Sequence, residues 1–151
     1  MVRITAYKKE YKQKLSDFVS KELGKNVSDG LSSDLNNLSE PSEYLICFDE
    51  NENVLGYSKT TALLSGIVKV DNIYVSKDFR RDKNGSLIMV AIMQRAVNRL
   101  IAALICECDN DNTIALSFFK ALGFTINDER NNIIYLSKSL LYMYKVKPEK
   151  E

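Results

Sequence analysis

Three cations, Arg80, Arg81 and Lys83, stand close together in the chain, followed at once by Asn84, Gly85 and Ser86. They lie within VDNIYVSKDFRRDKNGSLIMVAIMQR, Val70 to Arg95. That stretch reads as a strand, a charged loop and a long apolar helix opened by Ser86. A helix N-terminus carries unpaired N–H groups and about half a positive charge. Cationic side chains converging on such a terminus suit a phosphate or another anion. The same residues also suit a plain strand–loop–helix connection with a solvated charged loop.

Other chemistries are removed by composition. The chain has no histidine, which eliminates Ser-His and Cys-His nucleophilic pairs and the commonest metal ligand. Of its three cysteines, Cys106 and Cys108 lie two apart in a strand-like run, so both point to one face. A disulfide between them would be strained, and no second Cys pair completes a zinc site. Buried thiols are the reading, and no metal is expected.

About twenty-five residues downstream comes Asn112-Thr-Ile-Ala115-Leu-Ser-Phe118-Phe119-Lys-Ala-Leu-Gly123-Phe124. Together the two segments resemble the GNAT superfamily of N-acetyltransferases. Ile73 to Ser86 follows that family's fourth-strand pattern without a gap, and Asn112 to Phe124 follows its later helix. The resemblance implies a reaction in which an acetyl group passes from acetyl-CoA directly to an amine acceptor. It places the pyrophosphate on the loop of Arg80, Arg81, Asp82, Lys83, Asn84, Gly85 and Ser86. It lays the pantetheine arm beside Ile73, Tyr74 and Val75, where a backbone amide would hold the developing oxyanion. Asn112 matches the position that commonly contacts pantetheine, and Phe119 stands on the cofactor side of the same helix.

Departures from the family pattern count as much as the matches. Lys83 replaces the first glycine of the phosphate loop, where glycine permits close approach. A register one residue later would put Asn84 and Ser86 at the glycine positions; the first register keeps Gly85 and the spacing from Val75. Phe119 stands where many relatives have a tyrosine that protonates the departing thiolate. A thiol pKa near 8.5 disfavours free thiolate at neutral pH by about 2 kcal/mol, and general-acid help is typically worth ~10²–10⁴-fold. Its loss predicts a slower enzyme, another donor, or a catalytically silent module that binds CoA or a protein partner. The family's strand-four glutamate corresponds to Lys69, so Asp71, two residues on, is the candidate base; it also suits a plain polar residue tied to backbone or lysine. Tyr74 and Tyr135 are further possible donors, and Glu107 reads as solvated or paired.

Around these residues the chain reads as one domain, residues 1–151, with 45% apolar and 27% charged residues and a net charge of +1. That balance predicts no nucleic-acid partner. No apolar run approaches the roughly 18 residues of a span, and the N-terminus lacks an apolar signal core, so no membrane partner and a cytoplasmic location are expected. Periodicity predicts strands over 2–7, 44–48, 54–64, 67–75 and 103–108, helices over 10–23, 86–99 and 113–122, and a short, loosely held helix within 25–42. A terminal hairpin flanks the turn-rich NDERNN. This order matches a mixed α+β GNAT acyl-CoA N-acyltransferase fold, a mostly antiparallel sheet of about seven strands flanked by about four helices. Seven apolar residues, Leu87 to Met93, and the tail Leu140 to Tyr144 are more than one sheet readily covers, which points to a possible homodimer.

Overall fold

The computed structural model describes residues 2–64, 66–82 and 84–144, excepting the side chains of residues 81, 82 and 84. Its strands are β1 (Arg3–Ala6), β2 (Ser42–Phe48), β3 (Val54–Leu63), β4 (Ile67–Val75), β5 (Ala103–Asp109), β6 (Thr125–Arg130) and β7 (Ile133–Ser139). Helices α1 (Lys12–Leu23), α2 (Lys25–Asn36), α3 (Asn84–Asn98) and α4 (Thr113–Ala121) interleave with them, and short 3-10 turns cover Lys9–Tyr11, Lys77–Asp82 and Leu141–Met143. The seven strands follow the order β1-β2-β3-β4-β5-β7-β6, with β4 and β5 as the parallel pair.

Two compact units share this chain. The first holds the residues up to Ala62 together with Val70–Ala91; the second holds Leu63–Lys69 together with the chain from Ile92 onward. In the first unit, Leu15 and Val19 of α1 and Leu31 and Leu35 of α2 meet Tyr44, Ile46, Phe48, Tyr57 and Tyr74 of the strands in one buried cluster. The i, i+4 pairs put each helix's apolar residues on one stripe. α2 is three turns long, not the short, loosely held helix expected. Its serines hid it from periodicity: Ser28 donates to the Ser16 carbonyl at 2.9 Å, and Ser16 and Ser32 hydroxyls meet at 3.1 Å. Small polar residues therefore form the contact face with α1.

Helix α3 begins at Asn84, two residues before the expected cap, so Ser86 lies inside its first turn. Ile88, Met89, Ile92, Met93 and Ala96 are buried, whereas Leu87 and Val90 are exposed, which is one broad stripe rather than burial all round. In the second unit the β5–β7 ladder pairs Ala103 with Ser139 and Asp109 with Ile133. β6 reaches Arg130, further than expected, because all its side chains are exposed on an edge strand and polar residues suffice. The turn shrinks to Asn131 and Asn132, at φ 53° and 67°. That pair of positive angles belongs to a two-residue hairpin, which asparagine tolerates. Of the tail, Leu140 is fully buried while Leu141 and Tyr142 are exposed.

Candidate functional site

The C-terminal half of β4 is built against β3 at close quarters. Ser76 donates its N–H to the Leu55 carbonyl on β3 at 2.8 Å. A Cβ on Gly56 would lie 2.5 Å from the Tyr74 carbonyl oxygen and 3.2 Å from Val75 Cα, so only glycine lets the strands approach this way. Strand alternation then turns the backbone groups of Ile73 and Val75 to the opposite edge. The Arg80 Nε donates to the Val75 carbonyl at 3.1 Å on that edge, and its guanidinium lies 5.2 Å over the Tyr74 ring. Arg80 thus folds the loop back against the strand before α3 starts. Among the described residues the β4–β5 ladder covers Ile67, Val68 and Lys69 of β4.

Tyr74 is a core residue rather than a free donor. It is buried, its hydroxyl donates to Glu22 at 3.3 Å, and burial, then the Glu22 charge, raise its pKa. Glu22 also accepts the Lys77 N–H at 3.2 Å, so α1 is tied to the residues just after β4. Of the rest of the predicted loop, Gly85 and Ser86 are in the first turn of α3, while Lys83 and the side chains of Arg81, Asp82 and Asn84 lie outside the described residues.

Asp71 sits where β4 loses its alternation: Val68 and Val70 are buried, Asp71 and Asn72 both exposed, Tyr74 and Val75 both buried. Thr61 on β3 donates its hydroxyl to Asp71 Oδ2 at 2.5 Å, and Asn72 donates to the Tyr57 hydroxyl at 3.1 Å. Close by, Asp34 of α2 accepts from Tyr44 at 2.5 Å and from Lys59 at 2.9 Å. Burial pushes Asp34 upward, but the bonds from Lys59 and Tyr44 outweigh it and hold the carboxyl below its ordinary value. Burial and then the Asp34 bond raise the Tyr44 phenol far above its usual range. Neither Thr61 nor Gly56 carried a sequence signal by itself; each matters because β3 lies beside β4.

The second unit holds the remaining candidates. Asn112 is the N-cap of α4, its Oδ1 accepting from the Ala115 N–H at 3.1 Å. Phe119 is buried, with Phe118 at 5.4 Å and Phe124 at 5.2 Å between ring centres. Lys69 and Glu107 approach to 3.9 Å, and the Tyr135 ring lies under the Arg130 guanidinium at 4.9 Å. Cys47, which lies in the first unit, and Cys106 are buried free thiols pushed by desolvation to about 11 and about 12; Cys108 is partly buried and shifted the same way. Neutral thiols of this kind are poor nucleophiles. Among the described residues no cluster of three or more His, Cys, Asp or Glu could hold a metal, and no helix is long and apolar enough to cross a membrane.

A cleft of about 500 Å³ lies wholly in the first unit, between α1, the turn of residues 49–53 and the 3-10 turn after β4. Phe18, Val54 and Phe79 are among its apolar lining residues and Lys14 and Lys21 among its charged ones. It contains none of the residues expected to hold a cofactor.

The model of the acetyltransferase (GNAT) family matches residues 9–124 of this chain. The chain belongs to that family. Its fold is the GNAT fold, as solved structures also show. An acetyltransferase of the GNAT family from Staphylococcus aureus superposes with a TM-score of 0.77 at 15% identity, over 93% of this chain and 99% of that one. The ribosomal-protein-S18-alanine N-acetyltransferase of Escherichia coli gives 0.75 at 15% identity, over 93% and 94%. The PaiA N-acetyltransferase of Thermoplasma acidophilum, solved with coenzyme A, gives 0.73 at 12% identity, over 92% and 99%. A comparison with curated protein sequences gave no match.

Proposed function

We propose that this GNAT member, acting as one functional domain, is an acetyl-CoA-dependent N-acetyltransferase that moves an acetyl group directly to an amine. The observation that carries the reading is the edge of β4. Ile73 and Val75 turn backbone donors and acceptors away from β3, and the chain then passes through Arg80 into the first turn of α3. An extended amide-bearing arm can bond to such an edge like an added strand. A phosphate can rest on the first-turn N–H groups of a helix. The solved relative with coenzyme A supports the same cofactor.

When bound, acetyl-CoA supplies an activated thioester carbonyl. The chain's own part is to hold and polarise. The Ile73 and Val75 edge aligns the arm, and an N–H there is suited to hold charge building on the acyl oxygen. Arg80 adds positive charge between strand and helix. An acceptor amine with a pKa near 10.4 must lose a proton before attack. Asp71, solvent-exposed with one oxygen fixed by Thr61, is our candidate to take it. Phe119 provides no proton to a departing thiolate.

Calorimetry with acetyl-CoA and with a phosphate-free pantetheine fragment tests the binding half; equal affinity for both contradicts a pyrophosphate role for the loop. Mass-spectrometric detection of free CoA over a panel of amines tests the transfer half. A second reading, a silent CoA-binding module, is favoured by one observation: the usual tyrosine position is filled by Phe119 packed between Phe118 and Phe124. Tight acetyl-CoA binding without turnover on any amine would select it.

A further inference from the structure

Most charged groups on the walls of the first unit's cleft already serve the fold. Asp49 closes the turn of residues 49–53, its Oδ1 accepting the N–H groups of Asn51 and Asn53 at 2.8 and 2.9 Å. Glu52 pairs with Arg3, and Lys14 donates to the Glu52 carbonyl at 3.2 Å. Asp17 accepts from Gln13 at 2.8 Å, and Glu22 accepts from the Tyr74 hydroxyl and the Lys77 N–H. Two charges remain. Lys21 of α1 has no partner among the described residues, although Asp17 stands one helical turn before it at a spacing that favours an ion pair. Asp78, in the 3-10 turn after β4, has none either, and the two do not pair with each other.

A third group lines the same cleft from the strand side. Ser76 is 5% exposed. Its N–H goes to the Leu55 carbonyl and its own carbonyl accepts the Phe79 N–H at 3.0 Å, so what it offers the cleft is its hydroxyl. That hydroxyl has no partner among the described residues. A buried hydroxyl left without a partner destabilises the fold, and a polar ligand atom relieves the loss. The apolar lining is supplied by Phe18, edge-on to Tyr74 at 6.1 Å between ring centres, and by Phe79 and Val54, all half-buried. One uncommitted cation, one uncommitted anion and a buried hydroxyl beside apolar side chains suit a ligand that carries both charges on an apolar body. An amine or a phosphate would answer only one of the two charges.

We propose that this cleft binds a small zwitterion with an apolar side chain, a free amino acid, whose carboxylate faces Lys21 and whose ammonium faces Asp78. The Ser76 hydroxyl bonds to its polar end, and Phe18 and Phe79 pack against its side chain. The volume falls among those of small-molecule sites, about 300–1,000 Å³. The cleft is separate from the edge proposed to align acetyl-CoA. Ser76 is joined to β3 through Leu55, whereas Ile73 and Val75 turn their backbone groups to the opposite edge, and neither Asp71 nor Arg80 lines the cleft. Binding here is therefore independent of whether the chain transfers an acetyl group.

Calorimetry on the full chain at neutral pH compares leucine with leucinamide, which lacks the carboxylate, and with N-acetylleucine, which lacks the ammonium. Leucine should bind, and each derivative should bind at least ~10-fold more weakly. Lys21→Met and Asp78→Asn, both at exposed positions, should keep Tm and weaken leucine by a similar factor. Lys21→Met should also lose the preference for leucine over leucinamide, and Asp78→Asn the preference over N-acetylleucine. Ser76→Ala removes the partnerless hydroxyl, so Tm should hold or rise while leucine binding falls several-fold. Asp71→Asn, on the proposed transfer side, should bind leucine as the parent does. The proposal is overturned by no leucine binding at millimolar concentration, by derivatives that bind as well as leucine, or by cleft variants that bind like the parent. Leucine binding lost in Asp71→Asn and kept in the cleft variants would assign the amino acid to the acceptor side and also overturn it.

Discussion

Replacing Gly56 by alanine should be the most damaging single-methyl change in the chain. The new Cβ would sit 2.5 Å from the Tyr74 carbonyl oxygen, with Val75 Cα and Ile88 Cδ1 each at 3.2 Å. The Tyr74 oxygen is backbone, so relief requires β4 to move away from β3 rather than a side chain to rotate. Overpacking of this kind costs about 1–3 kcal/mol, and a backbone clash belongs at the upper end. For a domain of this size, about 2–3 kcal/mol lowers Tm by roughly 5–10 °C. The displaced segment is also the edge proposed to align acetyl-CoA, so affinity should fall with stability. Gly30 supplies the control. Nothing lies within 4 Å of a Cβ built there, and it sits inside α2. Gly30→Ala should therefore stabilise by about 0.5–1 kcal/mol. Thermal denaturation and acetyl-CoA calorimetry on both variants read the outcome. A Gly56→Ala protein with unchanged Tm and unchanged affinity would refute the claim that β3 and β4 touch this closely.

Phe119→Tyr should keep the fold and either raise turnover or shift its pH dependence; no change in either, measured as CoA release against pH, means that another group or water supplies the proton. The Asp34 carboxyl titrates below its unfolded value, so its bonds to Lys59 and Tyr44 stabilise above about pH 4 and are lost as pH falls further. Melting temperature against pH should thus drop less steeply in acid for Lys59→Met than for the parent. Tyr44 is shifted the opposite way, so its contribution is whole below about pH 10 and declines above it, and Tyr44→Phe should flatten the alkaline limb. Among the three thiols, Cys108 should react first with an alkylating reagent at neutral pH, with Cys47 and Cys106 reacting only on unfolding; mass mapping of the adducts checks the order.

What local sequence decided here are the features that repeat along one segment. Alternation set out β1 to β5, the 3.6-residue stripe set out α1, α3 and α4, and the two motifs carried the family, because each signal depends on neighbours in the chain. Where the contact face was made of small polar residues, as in α2, or the strand stood on an open edge, as in β6, hydrophobic period had nothing to report. The start of α3 slipped by two residues for a related reason: Ser86, Asn84 and Gly85 are all chemically fit to open a helix.

The site depended on pairing between strands. Asp71 is a polar residue at a break in alternation until β3 brings Thr61 to its carboxylate, and Gly56 is an ordinary strand glycine until the Tyr74 carbonyl occupies the place of its Cβ. Asn112 and Phe119 stood out in sequence as motif positions, yet only packing showed one to be a helix cap and the other a core ring. Ser76 gave no signal at all, since burial at the wall of a cleft is a property of what the chain folds against. Periodicity records what a residue does for its own segment; close approach, and which charges find partners and which do not, arise between segments, and only the folded chain contains them.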